Sequence, residues 1–255
     1  MNTVTLYTAC NTPALQVARQ NLSDRGITVV DQPSKDVTHL LLSVPSFEPD
    51  GSLKGGGDIE HILAALSEDV CVLGGNLSHS ALSGRSTFDL LQNEDYLAEN
   101  AAITASKAIT LAATKLPVVW RDLSVAVIGW GRIGKCLAAD LAALGAKVTV
   151  AARKNADRAM IRALGYSAED TTRLGPSLTR YRVIFNTAPE MVISEAQRKY
   201  CQKECLLMDL ASKPGIAGDG VMWERGLPGK YAPESSGLLI AKTVMRYLKE
   251  KEGVL

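Results

Sequence analysis

Short apolar runs alternate with amphipathic stretches along the first third of the chain. Four runs predict strands, at residues 4–7, 28–30, 40–44 and 70–73. Between them, residues 14–22 and 59–66 repeat apolar side chains at helical spacing, which predicts two helices. Strands that alternate with helices favour a parallel sheet. We therefore expect a small α/β domain of the flavodoxin-like type at residues 1–95, which would serve as the substrate domain.

The remainder of the chain continues this alternation. Residues 96–116 carry an alanine-rich apolar stripe that predicts a long connecting helix, and Pro117 ends it. Further apolar runs predict strands at residues 125–128, 147–150, 183–185 and 205–208. Residues 221–223 could form one more strand, but no helical pattern separates them from residue 208, so we expect an irregular edge there. These runs predict a second α/β domain at residues 117–232, and the glycine motif described next makes it a predicted Rossmann-like NAD(P)-binding domain. A last amphipathic stripe in residues 233–255 predicts a helix that begins at Ser235 or Ser236 and packs back toward the first domain.

A glycine-rich turn follows the first strand of the second domain, in the sequence Val125-Ala-Val-Ile-Gly-Trp-Gly-Arg-Ile-Gly134. Its G-x-G-x-x-G spacing permits a tight turn, close approach of a pyrophosphate and contact between helix and sheet. The helix N-terminus that follows would stabilise the anion. We therefore predict a dinucleotide site over Gly129, Gly131, Arg132, Ile133 and Gly134. The alternative is a glycine-rich turn that only packs.

The end of the next strand bears on the choice of cofactor. NAD-selective sites place Asp or Glu there to bind the ribose hydroxyls, but this chain has Arg153 and Lys154. A guanidinium favours the 2′-phosphate of NADP. The sequence therefore predicts NADP, with NAD as the second choice. The alternative is that Arg153 is a solvated charge ahead of a helix, for which Asn155 is the predicted N-cap.

Polar residues follow the carboxyl ends of several strands, where the ligands of open α/β sheets bind. In the second domain Asp209 comes directly after an apolar run, and Ser212 and Lys213 follow it. Lys213 and Ser212 could hold a carboxylate, or they could belong to a turn with a solvated lysine. Asp209 is a catalytic candidate, although it could instead organise that turn. The candidates for substrate binding on the first domain are Ser43, Ser46 and Asn76.

Composition and charge exclude several classes of partner. The 28 basic and 27 acidic residues nearly balance, which argues against nucleic acid or an anionic membrane. No apolar run reaches the roughly 18 residues of a membrane span. Because the five cysteines form no C-x-x-C pair, we expect a reduced, cytoplasmic protein without a disulfide framework or a metal site. All three histidines precede residue 80, so the second domain has no imidazole for acid–base catalysis.

The second half of the chain resembles the A subunits of dipicolinate synthases, which are dehydrogenase-like proteins of bacterial spore formation. Besides the glycine turn, the motifs that carry the resemblance are Ala142-Ala-Leu-Gly-Ala146, Ala152-Arg153, Asn186-Thr187-Ala188-Pro189, Asp209-Leu-Ala-Ser-Lys-Pro-Gly215 and Leu227-Pro-Gly-Lys-Tyr-Ala-Pro233. The wider relatives of that family are D-2-hydroxyacid dehydrogenases and adenosylhomocysteinases, which have the same two-domain plan.

This resemblance implies oxidation of dihydrodipicolinate to dipicolinate with NAD(P), in the mother cell of a spore-forming bacterium. It implies a dicarboxylate substrate held between the two domains and a partner protein, the flavoprotein-like B subunit, and we also expect a homo-oligomer. The motifs add to the predicted cofactor site the residues Thr187, Ala188, Pro189, Leu210, Ala211 and Gly229. Two alternatives remain, a D-2-hydroxyacid dehydrogenase-like oxidoreductase and a non-catalytic NAD(P)-binding regulatory or scaffold protein.

Overall fold

The structure is a computed structural model that describes residues 4–9 and 11–253. The described residues form two compact units. The first unit combines residues 1–100 with residues 228–255, and the second comprises residues 101–227. The C-terminal segment therefore belongs to the same unit as the N-terminal third of the chain.

The first unit is built on a parallel sheet with the strand order β2-β1-β3-β4-β5. The strands are β1 (Thr5–Thr8), β2 (Thr28–Val30), β3 (His39–Leu41), β4 (Cys71–Gly74) and β5 (Thr87–Asp89). Its helices are α1 (Pro13–Asp24), α2 (Ile59–Ala65) and the C-terminal helix, which is labelled α8 below and spans Pro233–Glu252. That helix packs closely on α1. A Cβ atom on its Gly237 would lie only 2.4 Å from the carbonyl oxygen of Ala14 in α1.

The second unit contains a six-stranded parallel sheet with the order β11-β10-β9-β6-β7-β8. The strands are β6 (Ser124–Ile128), β7 (Lys147–Ala151), β8 (Ser167–Glu169), β9 (Val183–Asn186), β10 (Leu206–Asp209) and β11 (Met222–Trp223). Helices α4 (Arg132–Ala143), α5 (Asn155–Ala163) and α6 (Glu195–Arg198) lie within this unit. Helix α3 (Glu94–Ala113) begins in the first unit and ends in the second, and α7 (Leu227–Tyr231) begins at the last residue of the second unit and continues in the first. The strand order reverses between β6 and β9, which is the topological switch point of a Rossmann-like sheet.

Apolar side chains cover both faces of this second sheet. Val125 and Val127 of β6 join a buried cluster that includes Leu137 of α4. Ala126 and Ile128, which alternate with them, join a separate buried cluster on the other face. Burial on both faces explains why β6 reads as an unbroken apolar run. The predicted α/β class, with a Rossmann-like domain and a smaller α/β domain, is confirmed.

Several predicted element boundaries were wrong. Helix α3 ends at Ala113 and not at residue 116, because the residue before Pro117 is disfavoured in the α conformation. The C-terminal helix begins at Pro233, a residue type suited to the first turn, and not at Ser235 or Ser236. Asn155 does not cap α5, since Lys154 occupies the N-cap position.

Strands β5 and β8 were not predicted. Each has three residues, and each is only partly buried, so neither carries an apolar run that a sequence pattern could reveal. The possible strand at residues 221–223 is observed as the two-residue strand β11, which is parallel to β10 although the described residues between them form no helix.

No helix in the described part of the chain is long and apolar enough to cross a membrane. Four cysteines are described, and all are free thiols, namely Cys71, Cys136, Cys201 and Cys205. Cys10 lies outside the described residues.

Candidate functional site

The glycine turn after β6 is packed against itself and against the loop after β9. Gly129 has a φ of 106°, and a Cβ atom on it would lie 2.3 Å from Oγ1 of Thr187. A Cβ atom on Gly134 would lie 2.1 Å from the carbonyl oxygen of Gly129. A side chain at either position would collide with neighbouring atoms of the protein. These two glycines are therefore required by the fold itself.

Gly131 differs from its neighbours in the turn. It is the N-cap of α4 and has an ordinary extended conformation, with φ at −78° and ψ at −170°. A Cβ atom there would have no described heavy atom within 4 Å. The fold thus tolerates a side chain at this position, which faces open space at the N-terminus of a helix of 12 residues. Unpaired amide groups at such a terminus suit an anion.

Thr187 joins the ends of β6 and β9. Its backbone N–H and its hydroxyl both donate to the carbonyl of Ile128, at 2.8 and 3.0 Å. Ala188 is held in turn by Asn186, whose Oδ1 atom accepts from the Ala188 N–H at 3.0 Å. The loop from Thr187 to Pro189 is therefore fixed beside the glycine turn. This loop and the turn form one continuous edge at the carboxyl ends of the strands.

Asp209 is completely buried at the end of β10 and organises the next loop. Its Oδ1 atom accepts from the Asn186 side chain at 2.9 Å and from the Ala211 N–H at 3.0 Å. Its Oδ2 atom accepts from the N–H groups of Gly215 at 2.7 Å and Ile216 at 3.2 Å. Four donors thus satisfy the buried carboxylate. These bonds are those of a turn organiser, one of the two roles that the sequence left open.

Ser212 and Lys213 lie at the exposed tip of the loop that Asp209 holds. Neither side chain makes a hydrogen bond or an ion pair with the described residues. Leu210 and Ala211, in contrast, are buried at the base of the loop. The loop therefore presents a hydroxyl and an ammonium group to solvent from a rigid base.

Arg153 follows the end of β7 and contacts an acidic residue that the sequence reasoning missed. Its guanidinium lies 3.4 and 3.5 Å from the two carboxylate oxygens of Glu190. The side chains are 66% and 57% exposed, so this is a weak surface pair. Glu190 directly follows the Asn-Thr-Ala-Pro motif after β9, and the adjacency of β6, β7 and β9 brings it near Arg153. Arg153 and Glu190 are 37 residues apart in the sequence, so the pair could be predicted only from the order of the strands.

The predicted substrate residues of the first unit lie in the loops after β3 and β4. The buried hydroxyl of Ser46 donates to the carbonyl of Ser43 at 2.8 Å and accepts from the N–H of Gly75 at 3.0 Å. The hydroxyl of Ser43 is 3.1 Å from that of Thr12. Asn76 has a φ of 58°, and its N–H donates to Asp89 at 3.1 Å. Ser46 thus joins the two loops, whereas Ser43 contacts the segment after β1 and Asn76 contacts the end of β5.

The structure brings most of the predicted cofactor residues to one edge of the second sheet. That group comprises Gly129, Gly131, Arg132, Ile133, Gly134, Arg153, Lys154, Thr187, Ala188, Pro189, Leu210 and Ala211. Gly229 belongs to the first unit, in α7. Ser43, Ser46 and Asn76 also belong to the first unit.

The fold and the arrangement of strand ends define a two-unit α/β protein with one Rossmann-like unit. The A subunit of dipicolinate synthase from Bacillus subtilis (strain 168) is 29% identical to this chain over 194 residues, which cover 71% of this chain. The match spans 65% of the length of that curated relative, which is less than two thirds. No protein-family model matches the chain. The resemblance to dipicolinate synthase A subunits that the motifs indicated is confirmed as a sequence similarity.

Two solved structures show the same fold. The crystal structure of the dipicolinate synthase A subunit from Bacillus halodurans has a TM-score of 0.85 and 23% identity, and the match covers 97% of this chain and 98% of that one. A transhydrogenase from Sinorhizobium meliloti has a TM-score of 0.73 and 14% identity, and the match covers 96% and 93% of the two chains. At these identities the likeness concerns the fold alone.

The contrast between the glycines of the turn gives a first prediction. Substitution Gly131→Val should lower the free energy of unfolding by no more than about 1 kcal/mol, since the side chain meets open space and only N-cap preference is lost. It should nevertheless abolish NAD(P) binding in calorimetry, because the side chain would occupy the space predicted for the pyrophosphate. Gly134→Ala is the matched comparison and should destabilise the protein by roughly 1–3 kcal/mol through the backbone clash. Unchanged NADP affinity in Gly131→Val would contradict the predicted site.

The Asp209 carboxylate gives a second prediction. Asp209→Asn keeps the shape of the side chain but turns one acceptor into a donor that faces two N–H groups. The free energy of unfolding, measured with urea, should fall by about 2–4 kcal/mol because buried donors lose their acceptor. The control Ser212→Ala changes an exposed residue of the same loop and should alter stability by less than about 0.5 kcal/mol. A fully stable Asp209→Asn variant would show that the loop does not depend on this network.

Proposed function

We propose that this chain is an NADP-dependent oxidoreductase subunit that forms dipicolinate, pyridine-2,6-dicarboxylate, from dihydrodipicolinate. The observation that carries the proposal is the 29% identity to the A subunit of a dipicolinate synthase. The proposal includes a cytoplasmic location in a sporulating bacterium, partnership with a flavoprotein-like B subunit, and assembly into a homo-oligomer. The geometry of the second unit supports the proposal at two places. One is the glycine turn with Arg153, and the other is the loop after β10 that carries Ser212 and Lys213.

The glycine turn fits a dinucleotide. Gly131 leaves open space at the N-terminus of α4, while Gly129 and Gly134 keep the turn close to the sheet. Backbone N–H groups at the start of α4 would bind the pyrophosphate, and Thr187 to Pro189 would border the nicotinamide. Arg153, paired only weakly with Glu190, would bind the 2′-phosphate of NADP. The residues present therefore suit NADP.

Lys213 and Ser212 would bind a carboxylate of the substrate. Both side chains are exposed and make no polar contact with the described residues, so no internal partner competes for them. The buried network below them fixes the loop, which lowers the entropy lost when a ligand is bound. Asp209 would act on the substrate indirectly, because its carboxylate is fully occupied by four hydrogen bonds. We therefore assign Asp209 a positioning role.

The proposed reaction removes one hydride and one proton from the dihydropyridine ring. NADP, when bound, supplies the acceptor for the hydride, and the proton leaves to solvent. The product is aromatic, so loss of the proton needs little help from a base. The absence of histidine from residues 101–227 fits this reaction better than oxidation of a secondary alcohol, for which an imidazole is the usual acid–base group.

Reconstitution gives a third prediction. The assay mixture contains the protein, a candidate B subunit, NADP and freshly made dihydrodipicolinate precursor. It should form dipicolinate faster than the same mixture without this protein. The ultraviolet absorbance of dipicolinate measures the rate. Lys213→Ala should slow formation by roughly tenfold or more, because a charge-assisted hydrogen bond is lost, with NADP affinity unchanged. The exposed Lys199→Ala, in the same unit, is the control and should leave the rate unchanged.

Two outcomes of that assay would reject the proposal. Rapid oxidation of a 2-hydroxy acid without faster dipicolinate formation would favour a D-2-hydroxyacid dehydrogenase-like enzyme. NADP binding without turnover of either substrate would favour a regulatory or scaffold protein.

The pair of Arg153 and Glu190 gives a fourth prediction, on the choice of cofactor. Arg153→Ala should weaken NADP binding by roughly tenfold or more and leave NAD binding nearly unchanged. Glu190→Gln should strengthen NADP binding by up to about fivefold, because the 2′-phosphate no longer competes with a carboxylate for the guanidinium. Calorimetric titrations with both nucleotides measure these effects. Equal losses of NAD and NADP affinity in Arg153→Ala would instead indicate a role in the fold.

A further inference from the structure

Trp223 stands beside the loop after β10. It lies on the edge strand β11, directly opposite Asp209 in the parallel pairing. Its indole N–H donates to the carbonyl of Ala211 at 2.9 Å. The side chain is nonetheless 45% exposed. The ring is therefore fixed in position next to the loop that carries Ser212 and Lys213, while much of its surface faces solvent.

Arg225 places a cation on this exposed ring. Its guanidinium carbon lies 5.8 Å from the centre of the Trp223 ring, within the range of a cation–π contact. Arg225 is exposed and makes no ion pair with the described residues. Lys213 likewise has no such partner. Two cations without an acidic partner in the described chain thus accompany a single exposed aromatic ring.

A purely structural role explains only part of this arrangement. The hydrogen bond from Trp223 to Ala211 would support the loop equally well if the indole ring were buried. That bond also does not require the guanidinium of Arg225 beside the ring. Single exposed aromatic side chains are common on protein surfaces, but a ring that a hydrogen bond holds in place offers a flat apolar surface on which a planar ligand can stack. Arg225 over that ring, and Lys213 two residues after the Ala211 carbonyl that the indole bonds, match a flat molecule with a carboxylate at two positions. A bidentate guanidinium is well suited to bind a carboxylate.

We propose that Trp223 and Arg225 form the second half of a dicarboxylate site. Lys213 binds one carboxylate of a planar ring, Arg225 binds the other, and the indole of Trp223 packs against the ring. This inference rests on the proposed function, which identifies the ligand as pyridine-2,6-dicarboxylate, but it assigns two residues that the resemblance did not. Neither residue holds the cofactor, so their loss affects only the substrate side.

The test compares a dicarboxylate with a monocarboxylate. Binding of pyridine-2,6-dicarboxylate and of pyridine-2-carboxylate is measured by calorimetry with NADP present. Arg225→Gln should weaken dicarboxylate binding by roughly tenfold or more and monocarboxylate binding much less, because the second carboxylate loses its partner. Arg225→Lys should lie between Arg225→Gln and the wild type. Trp223→Phe keeps an apolar ring and should retain most of the affinity. Arg162→Gln, an exposed arginine on α5, is the control and should match the wild type.

The outcomes separate this inference from the function on which it rests. Wild-type protein that binds the dicarboxylate, together with an Arg225→Gln variant of equal affinity, would overturn the inference and leave the proposed function standing. Equal losses for the two ligands in Arg225→Gln would also overturn it. Wild-type protein that binds NADP but neither pyridine carboxylate would overturn the proposed function as well.

Discussion

The buried carboxylate of Asp209 is the interaction on which the candidate site depends. Burial of a charged group is costly unless hydrogen bonds satisfy it. Here the side chain of Asn186 at the end of β9 and three backbone N–H groups of the loop after β10 do so. Because these donors must converge on one side chain, the loop has few other conformations. The backbone of Asp209 also accepts from Glu224, which ties β11 to the same point. One residue thus fixes three neighbouring segments at the edge where ligands of Rossmann-like sheets bind.

The glycine turn combines two different requirements. Gly129 and Gly134 are needed because protein atoms already occupy the space that a side chain would take. Gly131 meets no such contact, so the fold alone does not demand glycine there. A requirement that the fold does not impose is more informative about function than one it does. The glycine at position 131 therefore supports the proposed dinucleotide site more directly than Gly129 or Gly134 does.

Charge at the strand ends is distributed unevenly within the second unit. Arg153 has a weak acidic partner in Glu190, whereas Lys213 and Arg225 have none among the described residues. This distribution suits a proposed cofactor with an additional phosphate and a proposed substrate with two carboxylates. The nearly neutral chain provides no general attraction for anions, so local cations would have to supply the selectivity.

The sequence by itself determined the α/β class, the Rossmann-like domain and the glycine turn, because buried parallel strands read as apolar runs and the turn has fixed spacing. Short, half-exposed strands such as β5 and β8 carried no such signal, and helix boundaries shifted where Pro117 and Pro233 intervened. The pairs Arg153 with Glu190 and Trp223 with Ala211 are separated along the chain, and no local pattern encodes them. Only the order of strands in the sheet brings these residues together, so the tertiary structure decided which cations at the candidate site are paired and which remain open to a ligand.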